Sequence, residues 1–210
     1  MSSLTAKELI QRTELVLVRP DVTRKEIETI CAHAKENDFR GVCVNSSRVA
    51  LAFALLEDTD VRVISTIGFG SGAADSDVKR YEAEVAIDNG AQEFELVLNL
   101  GQIKDREEAT LLRELRDIIS VAEERPVSVL MGTKLLTRDE QIFVCNLAVE
   151  AGAKFINARS TEVETIKFLR EMLSAKFGIK ASGEITEPRR ASELLEAGAT
   201  HFAATVVSQI

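Results

Sequence analysis

At 210 residues, with 26 basic and 34 acidic side chains and a net charge of −8, the chain suits a single domain spanning 1–210, near the lower size limit of an eight-stranded α/β barrel. Its acidic, mixed-sign surface disfavours nucleic acid or an anionic membrane as a partner, though a few local cations can still hold a small anion. Cys31, Cys43 and Cys145 show no CxxC pair or metal spacing, the first residues show no basic-then-apolar leader, and no apolar run approaches membrane-spanning length, so a reduced, cytoplasmic setting is expected.

The first predicted element is a helix around Lys7–Arg12, expected to plug the bottom of a barrel. Strands are then expected at Leu15–Val18, Arg40–Val44, Val61–Ile67, Glu93–Asn99, Val127–Met131, Lys154–Ala158, Phe177–Ala181 and His201–Thr205. Helical periodicity fills the intervals. Ile27, Ile30, Cys31 and Ala34 mark one apolar face, and Leu112, Leu115 and Ile119 mark another. Thr137-Arg-Asp-Glu140 reads as a capping box after the fifth strand, and Thr186-Glu-Pro188 opens the helix after the seventh. A helix, a Gly-Ala break and a strand recur at Asn89, Ala151 and Ala197, because glycine accepts the left-handed conformation that stops a helix.

Eight strands alternating with helices argue for an α/β fold in which parallel strands close into a (β/α)8 TIM barrel with an N-terminal capping helix. The competing doubly wound open sheet usually has fewer strands, and its dinucleotide-binding form carries a GxGxxG after the first strand that is absent here. The sequence ends soon after the eighth strand, so the last helix is expected to be missing or vestigial.

In such a barrel the C-terminal strand ends face the active site, and charges inside strands are informative because burying them unpaired is costly. Glu95, within Phe94-Glu-Leu-Val-Leu98, and Lys180, within Gly178-Ile-Lys-Ala-Ser182, are expected to meet each other or a ligand at the mouth. The alternative is a structural ion pair tying strands four and seven. Lys134 beyond strand five and Arg159 after strand six either face the mouth, where Arg159 would bind an anion, or lie in solvent. Cys43 and Asn45 are two apart on strand two and so share a face, although Cys43 also suits a plain core position. His33 and His201 show no dyad pattern. No metal cluster, GxSxG elbow or Walker loop is present in the sequence, and no cofactor is expected.

Several segments resemble the deoxyribose-phosphate aldolase family, nearly end to end and in order. The family's VCVNP strand reads Gly41-Val-Cys-Val-Asn-Ser46, and its VIGFPxGA turn reads Thr66-Ile-Gly-Phe-Gly-Ser-Gly-Ala73, followed by Lys79-Arg-Tyr-Glu82. NGADEIDMVINIG is similar to Asn89–Gly101, ETxLLT to Gly132–Thr137, and KASGGI to Lys180–Ile185. The resemblance implies carbon–carbon cleavage of 2-deoxyribose 5-phosphate through a lysine imine, with a second lysine depressing the first one's pKa and an aspartate relaying protons. Position by position, the second lysine is Lys180 and the aspartate becomes Glu95. The imine-forming lysine falls on Asn157 of Phe155-Ile-Asn-Ala-Arg-Ser160, whose amide nitrogen is not nucleophilic.

The small-residue loops that hold the family's phosphate also differ. Glu184 replaces a glycine after Ser182 and Gly183, and the last loop reads Ala203-Ala-Thr-Val-Val207. Three functions are compatible with this pattern. One is a divergent class I lyase acting on a small aldehyde or sugar, with Lys180 as relocated nucleophile and Glu95 as acid/base. Another is a catalytically silent barrel with a regulatory or partner-binding role, and the third is an ordinary deoxyribose-phosphate aldolase. A homo-oligomer is compatible with each of them.

Overall fold

A computed structural model of the chain describes residues 5–185 and 188–205. Eight strands, β1 Thr13–Leu17, β2 Gly41–Asn45, β3 Arg62–Ile67, β4 Glu93–Val97, β5 Val127–Leu130, β6 Phe155–Asn157, β7 Gly178–Gly183 and β8 His201–Thr205, close into one barrel in sequence order. Every neighbouring pair is parallel, and β1 completes the circle against β8. The barrel expectation holds, with strand ends displaced by a residue or two.

The helices of the outer layer include α1 Ala6–Ile10, α2 Arg24–Glu36, α3 Val49–Leu56, α4 Ser76–Asp88, α5 Leu100–Lys104, α6 Glu108–Ala122, α7 Arg138–Ala151, α8 Val163–Met172 and α9 Pro188–Glu196. Their starts follow local chemistry. Thr23 caps α2 and Thr137 caps α7, each accepting from the backbone N–H of a glutamate three residues on that bonds back, so two otherwise unpaired helix-end donors are satisfied. Ile27, Ile30, Cys31 and Ala34 are buried as the periodicity requires. On α6 the buried set is Leu111, Leu112, Glu114, Leu115, Ile118 and Ala122, so Ile118 rather than Ile119 lies at the centre of the buried face. Within the expected Thr186–Pro188 opening of α9, Thr186 and Glu187 lie outside the described residues, as do the residues after Thr205 where a last helix would fall.

The bottom of the barrel is less sealed than expected. The short α1 has no fully buried residue, with Leu9 packed part-way against the core. A cleft of about 800 Å³ remains open there, lined among others by Gln11, Arg40, Phe155 and His201. At the opposite end, Gly72 takes φ +66° where the turn after β3 passes over the end of β4. A β-carbon there would stand 2.2 Å from the Leu98 carbonyl oxygen, so only glycine permits this approach.

Candidate active site at the barrel mouth

The C-terminal strand ends surround a cavity of about 530 Å³. Its lining includes Glu14 from β1, Cys43 from β2, Glu95 from β4 and Asn157 from β6, with Lys134 and Arg159 on the loops that follow β5 and β6. Ser182 and Gly183 line it from β7. Asn45 lies in an adjoining cleft with Ser46, Gly68 and Glu82, where its Nδ2 donates to the carbonyls of Val18 and Arg19 at 3.2 and 3.3 Å. Glu184 is exposed and is not part of the cavity lining.

Beneath the cavity lies a buried charge cluster. The Lys180 ammonium stands 2.8 Å from Glu14, 2.7 Å from Glu93 and 2.6 Å from Glu95, with all four residues essentially inaccessible to solvent. Arg40, just before β2, pairs with Glu14 at 3.0 Å and with Glu93 at 2.5 Å. The oxygens of the three glutamates converge within 4.8 Å of one another, a spacing that suits a cation, and the Lys180 ammonium contacts all three. Sequence reasoning missed three members of the cluster. Glu14 fell one residue outside the expected first strand, Glu93 stood at the start of the fourth, and Arg40 opened the expected second. A usable signal was the spacing of Glu93 and Glu95, which places both carboxylates on one face of a strand.

The energetics of the cluster follow from its charge balance. Three buried carboxylates face two buried cations, Lys180 and Arg40, with the half-exposed Arg62 3.7 Å from Glu93 at the edge, so the dry interior holds one negative charge in excess. Burial pushes Glu14 up to about 8 despite Lys180, helped by the charges of Glu95 and Glu93. Burial alone would raise Glu93 as well, but Lys180 and Arg40 outweigh it and the group ends below the usual carboxylate range. For Lys180 burial favours the neutral amine, yet the three glutamates prevail and hold it charged well above the ordinary lysine range. Cys43 is driven the other way, since burial raises its thiol well above normal and keeps it protonated. Burial, followed by Arg40 and Lys180, pushes His201 down to about 4, so it is neutral near pH 7.

Asn157 sits between the cluster and the rim. It pairs with Lys180 across the β6–β7 ladder, and its Nδ2 donates to Glu95 at 3.0 Å. Its Oδ1 accepts the backbone N–H of Arg159, also at 3.0 Å. A second buried pair supports the strand ends from outside. Lys79 of α4 donates to both Glu114 oxygens at 2.9 and 3.0 Å and to the Val97 carbonyl at 3.0 Å, tying α4 and α6 to the end of β4. Glu82 accepts from the Ser46 hydroxyl and the Gly68 N–H, which gives the Lys79-x-x-Glu82 step a structural task at the mouth.

A closed parallel barrel with buried ionisable groups beneath an open mouth defines an enzyme-type (β/α)8 scaffold. Among curated proteins, the chain is 35% identical over 206 residues to deoxyribose-phosphate aldolase 1 of Bacillus licheniformis, covering 95% of this chain and 92% of that one. It is 36% identical over 208 residues to the deoxyribose-phosphate aldolase of Halalkalibacterium halodurans, covering 95% and 93%. The chain belongs to the deoxyribose-phosphate aldolase family. Among solved structures it is similar to QR15, an aldolase, with a TM-score of 0.88 and 28% identity over 94% of this chain and 91% of that one. The tetrameric deoxyribose phosphate aldolase of Aeropyrum pernix, at 23% identity, shares the fold with a TM-score of 0.87 over 95% and 88% of the two chains. No family model matches the chain.

Proposed function

We propose that this chain is a divergent carbonyl lyase of its family. It takes a small aldehyde, sugar or related carbonyl compound at the barrel mouth and forms no imine on β6. The observation that carries the reading is the position of Asn157, whose amide holds Glu95 and the Arg159 backbone at the place where the family resemblance puts the nucleophilic amine. Lys180 serves as a fixed cation in this reading. To attack a carbonyl it would have to lose a proton that three carboxylates hold and then leave them. Glu95, at the floor of the cavity, moves the proton between the substrate and the site. It accepts the proton of a β-hydroxyl as the C–C bond breaks, and the bonding pair passes to the carbonyl oxygen as an enolate. The enolate carbon then takes that proton back from Glu95.

A catalytically silent, partner-binding barrel is the second reading. It is favoured by the cluster's closure, since each of its charges is paired inside the protein. Two further features belong to the proposal. Free, buried Cys31, Cys43 and Cys145 suit a reducing cytoplasm, and Val78 and Tyr81 stand exposed on α4 as an apolar patch suited to self-association, in line with the tetramer of the Aeropyrum pernix protein. Among the described residues no helix is long and apolar enough to cross a membrane. Hydrogen–deuterium exchange followed by NMR tests the activity. The wild type should exchange the protons beside the carbonyl of acetaldehyde or pyruvate, and Glu95→Gln should lose that exchange. Wild-type protein that exchanges neither compound supports the silent barrel and overturns the lyase reading.

A further inference from the structure

Asn157 also has a consequence at the rim. By accepting the Arg159 N–H it stabilises a non-glycine residue at φ +46°, in the left-handed region that side chains ordinarily avoid. The preceding loop is fastened to the same place. Met131 donates its N–H to the Asn157 carbonyl at 2.8 Å, and Thr133 donates its hydroxyl to the Ala158 carbonyl at 3.0 Å. Thr133 and Ala158 immediately precede Lys134 and Arg159, so these bonds set the two cationic residues side by side on neighbouring loops. Both line the cavity. Neither side chain has a hydrogen-bond or ion-pair partner among the described residues. Arg19, the other arginine lining the cavity, is already paired with Asp21 and Glu26.

We infer that Lys134 and Arg159 form an anion subsite, positioned by Asn157, that selects a carbonyl ligand bearing a single carboxylate, a short 2-oxo acid. This rests on the lyase reading above and names its substrate class. Two neighbouring unpaired cations repel each other until an anion lies between them, and a guanidinium fork matches a carboxylate in two bonds. Charge also decides between head groups. The cavity is lined by Glu14, Glu95 and Glu162 besides Lys134, Arg159 and the already paired Arg19, so it suits a monoanion better than a phosphate dianion. The ligand's carboxylate would lie at the β5–β6 rim with its carbonyl toward Glu95. Asn157 is a positioning residue here, acting through the backbone of Arg159.

Titration calorimetry with pyruvate, D-glyceraldehyde and glyceraldehyde 3-phosphate tests the assignment. Pyruvate should bind the wild type more tightly than either of the others. Lys134→Gln and Arg159→Gln should each weaken pyruvate about tenfold and leave the neutral aldehyde within about twofold, the loss expected for one charge-assisted bond. Asn157→Ala should lower the pyruvate-to-glyceraldehyde preference in the same way, a selectivity change that simple loosening of the fold would not produce. Glyceraldehyde bound as tightly as pyruvate overturns the subsite and leaves the lyase reading standing. A preference for glyceraldehyde 3-phosphate overturns the carboxylate assignment. If none of the three binds, the subsite and the mouth reading fall together.

Discussion

The Lys180 ammonium lies 2.6 Å from the Glu95 carboxylate, and neither group reaches bulk solvent to any useful extent. This contact joins the floor of the cavity to the cluster beneath it. Replacing Lys180 by methionine would leave three buried carboxylates with Arg40 and, 3.7 Å from Glu93, the half-exposed Arg62 as their cations. Breaking a buried pair from one side costs about 3–5 kcal/mol. Urea unfolding of Lys180→Met should show a loss of that order, and a loss below about 1 kcal/mol would mean that the cluster does not stabilise the fold.

Glu14 gives the cluster a pH signature. Its folded-state pKa of about 8 lies above the ordinary 4.5, so between those values the native state keeps a proton that the unfolded chain releases. Its contribution to stability is therefore full below about 4.5 and declines as pH rises toward about 8. Glu14→Gln should remove that part of the decline. If the unfolding free energies of wild type and variant run parallel from pH 5 to pH 8, the proton resides elsewhere.

The Lys79–Glu114 pair makes a separate prediction about the outer layer. Lys79→Met strands a buried carboxylate that burial already pushes above its normal range, and should cost about 3–5 kcal/mol. Lys79→Met with Glu114→Leu should recover most of that loss, because two apolar side chains replace two charges. Denaturation midpoints of the three proteins check this. A double variant no more stable than the single one would show that the Val97 carbonyl, which loses its donor in both, carries the effect.

Much of this was legible in the sequence. The Gly-Ala breaks and capping boxes gave the element order, and lone charges in apolar strands led to Glu95 and Lys180. The rest was hidden for identifiable reasons. β1 begins at Thr13, almost directly after α1, so Glu14 falls inside a strand that periodicity started one residue later. The burial of Lys79 was not marked by its residue type, because a long charged side chain is the usual occupant of a helix surface. Its neighbours Ala83 and Ala86, small and on the same buried face, were the available clue. The hydrogen bond from Asn157 to Glu95 depends on barrel closure, which brings together groups 62 residues apart.

Asn157→Lys tests how far the mouth remains aldolase-like. The new amine would lie beside Lys180 across the β6–β7 ladder, and that neighbouring cation should depress its pKa. The variant should form an imine with acetaldehyde yet gain little cleavage of deoxyribose 5-phosphate, because Glu95 is one methylene longer than the family's aspartate and is held by Lys180. Absence of both adduct and turnover would favour the silent barrel.

The central claim is that the wild-type mouth works without a lysine imine, with Lys180 as a fixed cation. Reduction with borohydride in the presence of acetaldehyde, followed by peptide mass mapping, measures this directly. The account predicts that the peptide containing Lys180 stays unmodified and that deoxyribose 5-phosphate is not cleaved at aldolase rates. A reduced adduct on Lys180, or cleavage at such rates, would contradict it.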